Sequence, residues 1–118
     1  MAWPGENDRH IDKRERRVIR NEALFREVNE RIEEIRAGVV GSEPIEFLCE
    51  CGEESCLEPV ELTREEYEEV RSFPDHFVMR PGHEHPDFER IIDRRDRYVI
   101  VDKVGHAEDV ADRTDPRS

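Results

Sequence analysis

No run of apolar residues in the chain approaches the roughly 20 needed to cross a bilayer, so no membrane-spanning segment is expected. The opening Met1-Ala2-Trp3-Pro4-Gly5 leads straight into charge and lacks the apolar stretch of an export signal, which makes the cytoplasm the expected location. Aromatic residues supply 7% and apolar residues 35% of the 118 positions. That is a thin supply for one domain, and small cores of this kind need a staple such as a metal ion or a partner subunit. Cysteine is scarce as well. Three residues, an odd number in a chain expected to stay reduced, argue against a disulfide framework. Neither a phosphate-cradling glycine loop nor a nucleophile elbow is present, and no internal repeat is visible.

Charge is abundant. It occupies 42% of positions, with a formal net charge of −12. An acidic chain repels phosphate backbones and anionic lipid surfaces, so neither nucleic acid nor membrane is expected as a partner. The charge is also uneven. Arg9 to Arg20 holds six basic residues against Asp12 and Glu15, whereas Glu43 to Glu69 holds eleven glutamates against Arg64 alone. Such halves attract each other within one chain or between two, or serve as solvated faces.

Residues 1–11 read as a mobile polar leader. A long amphipathic helix is expected over residues 12–37, with Val18, Phe25, Val28, Ile32 and Ile35 in coiled-coil spacing, Asn21 filling the gap and Leu24 widening the stripe. This stripe is expected to be buried, against the chain's own sheet or against a second helix. Residues 45–105 form the expected compact unit. Strands are read at Ile45–Leu48, Val60–Leu62, Phe77–Arg80, Phe88–Asp93 and Tyr98–Val104, the last two forming a hairpin. Thr63-Arg64-Glu65-Glu66 is a capping box that opens one short helix ending before Pro74. Residues 106–118 read as a flexible polar tail.

The informative segment is Cys49-Glu50-Cys51-Gly52-Glu53-Glu54-Ser55-Cys56. Its C-x-C-x4-C spacing offers three thiolates, and Gly52 permits a positive φ that lets the backbone fold tightly around an ion. Zinc takes four tetrahedral thiolate and imidazole ligands, so a fourth must come from elsewhere. The histidines are His10, His76, His83, His85 and His106. His83 is the expected ligand, because Pro81-Gly82 fixes how the preceding strand ends, whereas His85 lies further into the turn before Pro86. The competing readings are three buried small hydrophobes, which the intervening glutamates oppose, and a Cys51–Cys56 redox pair, whose thiol pKa values nearby carboxylates would raise. His83-Glu84-His85 with Asp87 is also compatible with a second, open hydrolytic metal site.

The knuckle resembles the post-SET zinc motif of histone lysine methyltransferases, which has the same cysteine spacing and a distant fourth ligand. The likeness covers Cys49 to Cys56 and implies a metal, without those enzymes' catalytic signatures. A broader resemblance spans Asn21 to Glu30, Phe47 to Cys51, Glu61-Leu62-Thr63 with Glu66-Tyr67-Glu68, and Pro81-Gly82-His83-Glu84. These blocks are similar to a family of small bacterial proteins of uncharacterised function. That resemblance implies one bacterial cytosolic domain, places His83 in a shared block, and transfers no activity.

The expected fold is α+β: a long N-terminal helix, then a small antiparallel sheet with one short helix and a zinc knuckle held by Cys49, Cys51, Cys56 and His83. The expected function is a non-enzymatic, zinc-stabilised interaction or regulatory module, with another protein or a second copy as partner through the N-terminal helix. Two alternatives are compatible: a redox or metal sensor built on the cysteines, and a zinc-dependent enzyme with an open coordination position.

Overall fold

Lys, Arg, Glu and Leu fill residues 13–35 without glycine or proline, and they form one helix of 23 residues. A computed structural model describes residues 13–36, 38, 43–56 and 58–117. The elements are α1 (Lys13–Ile35), β1 (Ile45–Leu48), β2 (Pro59–Leu62), α2 (Arg64–Val70), β3 (His76–Met79), β4 (Glu89–Arg94), β5 (Val99–Lys103) and α3 (His106–Arg113). The leader expected at residues 1–11 lies outside the described residues.

The class is α+β, as expected, but the strands form two antiparallel sheets rather than one. β1 and β2 pair with Ile45 opposite Leu62 and Phe47 opposite Val60, and these four side chains face inward. Thr63 then caps α2 through both bonds of the capping box: its hydroxyl accepts from the Glu66 amide, and its own amide donates to the Glu66 carboxylate. This start aims Tyr67 and Val70 into the core, where the Tyr67 ring stacks on Phe47 at 4.3 Å. The second sheet has the order β3-β5-β4. β5 lies in the middle and is buried along its whole length, and Ile92 bulges out of β4 between Ile91 and Asp93.

Two expectations are corrected. The segment read as a flexible tail contains α3, whose Ala107 and Ala111 are buried and whose Val110 packs against the cluster of Val18, Ile19 and Phe88. Alanine adds little to an apolar count, yet its small side chain lets α3 approach α1 closely. Arg26 then donates from Nη2 to the Ala111 carbonyl at 2.8 Å.

The second concerns α1, whose apolar stripe is not the face buried against the chain's own sheets. Of the expected stripe only Val18 is buried; Phe25 and Ile32 are half-buried, Val28 is 39% exposed and Ile35 80% exposed. The helix instead buries Val18, Ile19, Glu22, Arg26, Asn29, Glu30 and Glu33. The body beneath explains this choice. It presents backbone groups and charges outside any strand ladder, and each must find a partner when buried. Arg26 donates to the Pro74 carbonyl and lies over the Phe77 ring at 4.4 Å. Asn29 accepts from the Leu48 amide at 2.8 Å and donates to the Leu48 carbonyl at 3.0 Å. Lys103 Nζ sits 2.7 Å from Glu22 Oε1 and against Glu89, and Arg71 pairs with Glu30 and Asp115. Charge-assisted bonds of this type contribute about 1.5–3 kcal/mol each, and leaving one partner alone costs more.

Candidate metal centre

The cysteine segment begins where β1 ends. Glu50 fixes its path. Its amide donates to the Val78 carbonyl at 2.9 Å, and its carboxylate accepts from the Val78 amide at 3.0 Å and from Asn29 Nδ2 at 2.7 Å. Glu50 is fully buried, and burial raises its carboxyl pKa. Anchoring Glu50 between α1 and β3 gives Cys49 and Cys51 fixed places on either side of it, and both are buried. Gly52 follows with φ +76°, as the sequence predicts. Its reason goes beyond the turn: a Cβ here would lie 2.4 Å from the Val18 carbonyl oxygen and 2.7 Å from Glu22 Cγ. Only glycine lets the knuckle touch the α1 backbone, and Asn21 Nδ2 seals the contact by donating to the Gly52 carbonyl at 3.0 Å.

His83 arrives from the other side. β3 ends at Met79, and the His83 amide donates to the Arg80 carbonyl at 3.0 Å, closing a turn over Pro81 and Gly82. Gly82 takes φ +89°. The turn places His83 Nδ1 3.6 Å from Cys49 Sγ and 3.5 Å from Cys56 Sγ, and the Arg80 amide donates to Cys49 Sγ at 3.2 Å. The donor atoms of Cys49, Cys51, Cys56 and His83 all lie within 4.8 Å of one another.

These distances test whether an ion fits. A zinc ion with bonds of about 2.3 Å to sulfur and about 2.0–2.1 Å to nitrogen, at tetrahedral angles, sets nitrogen and sulfur about 3.5 Å apart. The observed N–S separations match, so the Cys3His group is geometrically suited to a metal ion. The protonation pattern agrees. Cys51 is lowered to about 5, first by its hydrogen bond with Cys49. Cys49 is raised, first by that same bond and then by burial, and Cys56 is raised chiefly by burial. A divalent ion would let all three ionise.

Among the other histidines, His76 begins β3 beside Phe73, His106 opens α3, and His10 lies outside the described residues. His85 is close but has another task. Its Nε2 lies 2.7 Å from the Cys51 carbonyl oxygen and its ring stacks on Phe88 at 5.1 Å. It ties the His83 turn to the knuckle, as groups outside the ligand set commonly do for metal sites. The sequence signals the four residues that converge. It carries no sign of Glu50, His85 or the Arg80 amide as their supports, because each depends on segments far apart in the chain. The second, open site read from His83, His85 and Asp87 does not form as a cluster among the described residues; the group that converges there is Cys49, Cys51, Cys56 and His83.

No helix among the described residues is long and apolar enough to cross a membrane. The chain matches no protein-family model, no curated protein and no solved structure, and the reading of its metal group therefore rests on its own geometry.

Proposed function

We propose that Cys49, Cys51, Cys56 and His83 hold one structural zinc ion, and that the protein is a non-enzymatic interaction or regulatory module whose fold the ion completes. The observation that carries this reading is the convergence of three sulfurs and one imidazole nitrogen within 4.8 Å of one another, with two N–S separations of 3.5 and 3.6 Å. Four protein ligands leave a tetrahedral ion no place for substrate or water, which favours a structural role over a catalytic one. The ligands also join the segment after β1 to the turn after β3, alongside the Glu50–Val78 and His85–Cys51 bonds. Closing that loop with metal bonds converts binding energy into folding energy.

The test is elemental analysis of protein purified under reducing conditions, on the parent and on Cys49→Ser and Cys56→Ser variants. One equivalent of zinc in the parent, lost together with thermal stability in both variants, is the expected result. A metal-free parent with an unchanged melting temperature in the variants would overturn the reading.

One observation favours a second reading. Cys56 is half-exposed and, with Cys49, lines a groove of about 350 Å³ that opens beside the cluster. A peroxide entering there would take two electrons from two thiolates, join them as a disulfide and release the ion, so the same site would act as a redox sensor. Stoichiometric zinc release on titration with peroxide, reversed by a dithiol and fresh zinc, distinguishes the sensor from a purely structural site.

A further inference from the structure

The outward face of α1 carries what most helices bury. Leu24 is 53% exposed, Val28 39% and Ile35 80%, and they stand on one stripe opposite the polar face that α1 turns to the body. Leu48, at the end of β1, adds a fourth apolar side chain, 37% exposed. The stripe is bordered by two clefts. Phe25, Phe47 and Leu48 contribute to one of about 350 Å³, and Ile32, Ile35 and Ile45 to another of about 390 Å³. Scattered exposed apolar residues need no explanation, but apolar residues grouped on one outward helix face with clefts beside it mark a contact surface.

Charge indicates what covers the strip. The first half of α1 exposes Lys13, Arg14, Arg16, Arg17 and Arg20, whereas the surface around its second half exposes Glu27, Glu34, Glu43 and Glu46 alongside Arg31 and Arg36. A partner helix of complementary pattern must be acidic where α1 is basic and basic where α1 is acidic. A second α1 running antiparallel meets that requirement by itself. A two-fold axis near Arg26 sets Leu24 of one copy against Val28 of the other and brings each basic half alongside the other copy's Glu34 and Glu46. A parallel arrangement would set the two basic halves together and is opposed by their repulsion. An isologous contact of this kind closes at two copies.

We propose that α1 pairs with the α1 of a second copy in an antiparallel dimer, with Leu24 and Val28 at the centre of its seam. This deepens the interaction-module reading by naming the partner. The cleft beside Phe25 and Leu48 also reaches Cys49 and Cys56, so zinc content and melting temperature, read on every sample, keep the two claims distinguishable.

The experiment is sedimentation equilibrium on the full chain at roughly 10–200 µM, a range that brackets a modest interface, with zinc content and melting temperature recorded on each sample. The expected result is a mass rising toward twice the 14.0 kDa of one chain. Leu24→Glu and Val28→Glu are predicted to raise the dissociation constant roughly tenfold or more, while the melting temperature of the monomer and its zinc content stay as in the parent. Two charge-reversed variants, Arg17→Glu with Arg20→Glu and Glu34→Lys with Glu46→Lys, each self-associate less than the parent and form a mixed dimer when combined. A zinc-loaded chain that is monomeric throughout overturns the pairing and leaves the metal reading intact. A dimer indifferent to Leu24→Glu and Val28→Glu, or charge variants that fail to form a mixed dimer, also overturns it. A metal-free dimer with the predicted sensitivities supports the pairing and overturns the zinc reading.

Discussion

At the scale of single residues, two histidines two positions apart have different work. His83 offers Nδ1 to the sulfurs, and His85 holds the Cys51 carbonyl. His83→Ala is predicted to weaken zinc retention and to lower the melting temperature more than His85→Ala, which removes one hydrogen bond and a ring stack worth about 1–2 kcal/mol together. Competition of each variant against a chromophoric chelator ranks them, and a worse effect from His85→Ala contradicts the assignment. Gly52→Ala is predicted to cost about 2 kcal/mol or more in a denaturant titration, because it adds a positive-φ penalty to a clash with the α1 backbone. A loss under about 0.5 kcal/mol would show that the knuckle does not need that approach. The convergence of Cys49, Cys51, Cys56 and His83 was legible in the sequence because their chemistry is declared by residue type and spacing. Glu50 was not. It stands among glutamates that read as solvated, and only its place between Asn29 and Val78 makes it a buried anchor.

At the scale of elements, α1 shows why periodicity alone does not say which face of a helix turns to the body. Apolar spacing of 3 and 4 defines a stripe, but which stripe turns inward depends on what lies beneath. Here Lys103, Arg71 and the Leu48, Pro74 and Ala111 backbone groups select the polar one. The capping box of α2 was legible, since both its bonds are local to Thr63 and Glu66. The docking of α3 was not, since it depends on alanines. One consequence of the buried polar face is a pH dependence at Glu33. Burial raises its carboxyl from 4.5 to about 7, and its hydrogen bond to Glu68 adds to the rise. Glu68 is lowered to about 2, first by its bond from Arg117 and then by that from Glu33. Between pH 4.5 and about 7 the folded chain therefore holds a Glu33 proton that the unfolded chain has released. The unfolded state binds fewer protons there, so the Glu33 contribution to stability falls as pH rises through this window. Glu33→Gln is predicted to flatten that part of the stability profile in urea titrations at pH 5, 6 and 7. An unchanged slope in the variant would place the dependence elsewhere.

At the scale of the whole molecule, the modest apolar content asked for a staple, and the fold presents a site for one. The main core gathers residues from β1, β2, α2, β3 and β5, and Cys49 and Cys51 belong to it, so the metal group is continuous with the core rather than appended to it. The −12 net charge opposes compaction, and the buried ion pairs and the proposed cation offset part of that repulsion. Structural zinc binds with about 10–16 kcal/mol in small domains at pH 7, comparable to the whole net stability of about 5–15 kcal/mol that a domain of this size carries. Loss of the ion is therefore predicted to unfold the chain or nearly so. The measurement that addresses this most directly is native mass spectrometry of the protein purified under reducing conditions, before and after dialysis against a chelator. The account predicts a folded, low-charge-state ion carrying one zinc, replaced after chelation by a metal-free, high-charge-state population of unfolded chain. A folded, low-charge-state chain without metal, both before and after chelation, would contradict it.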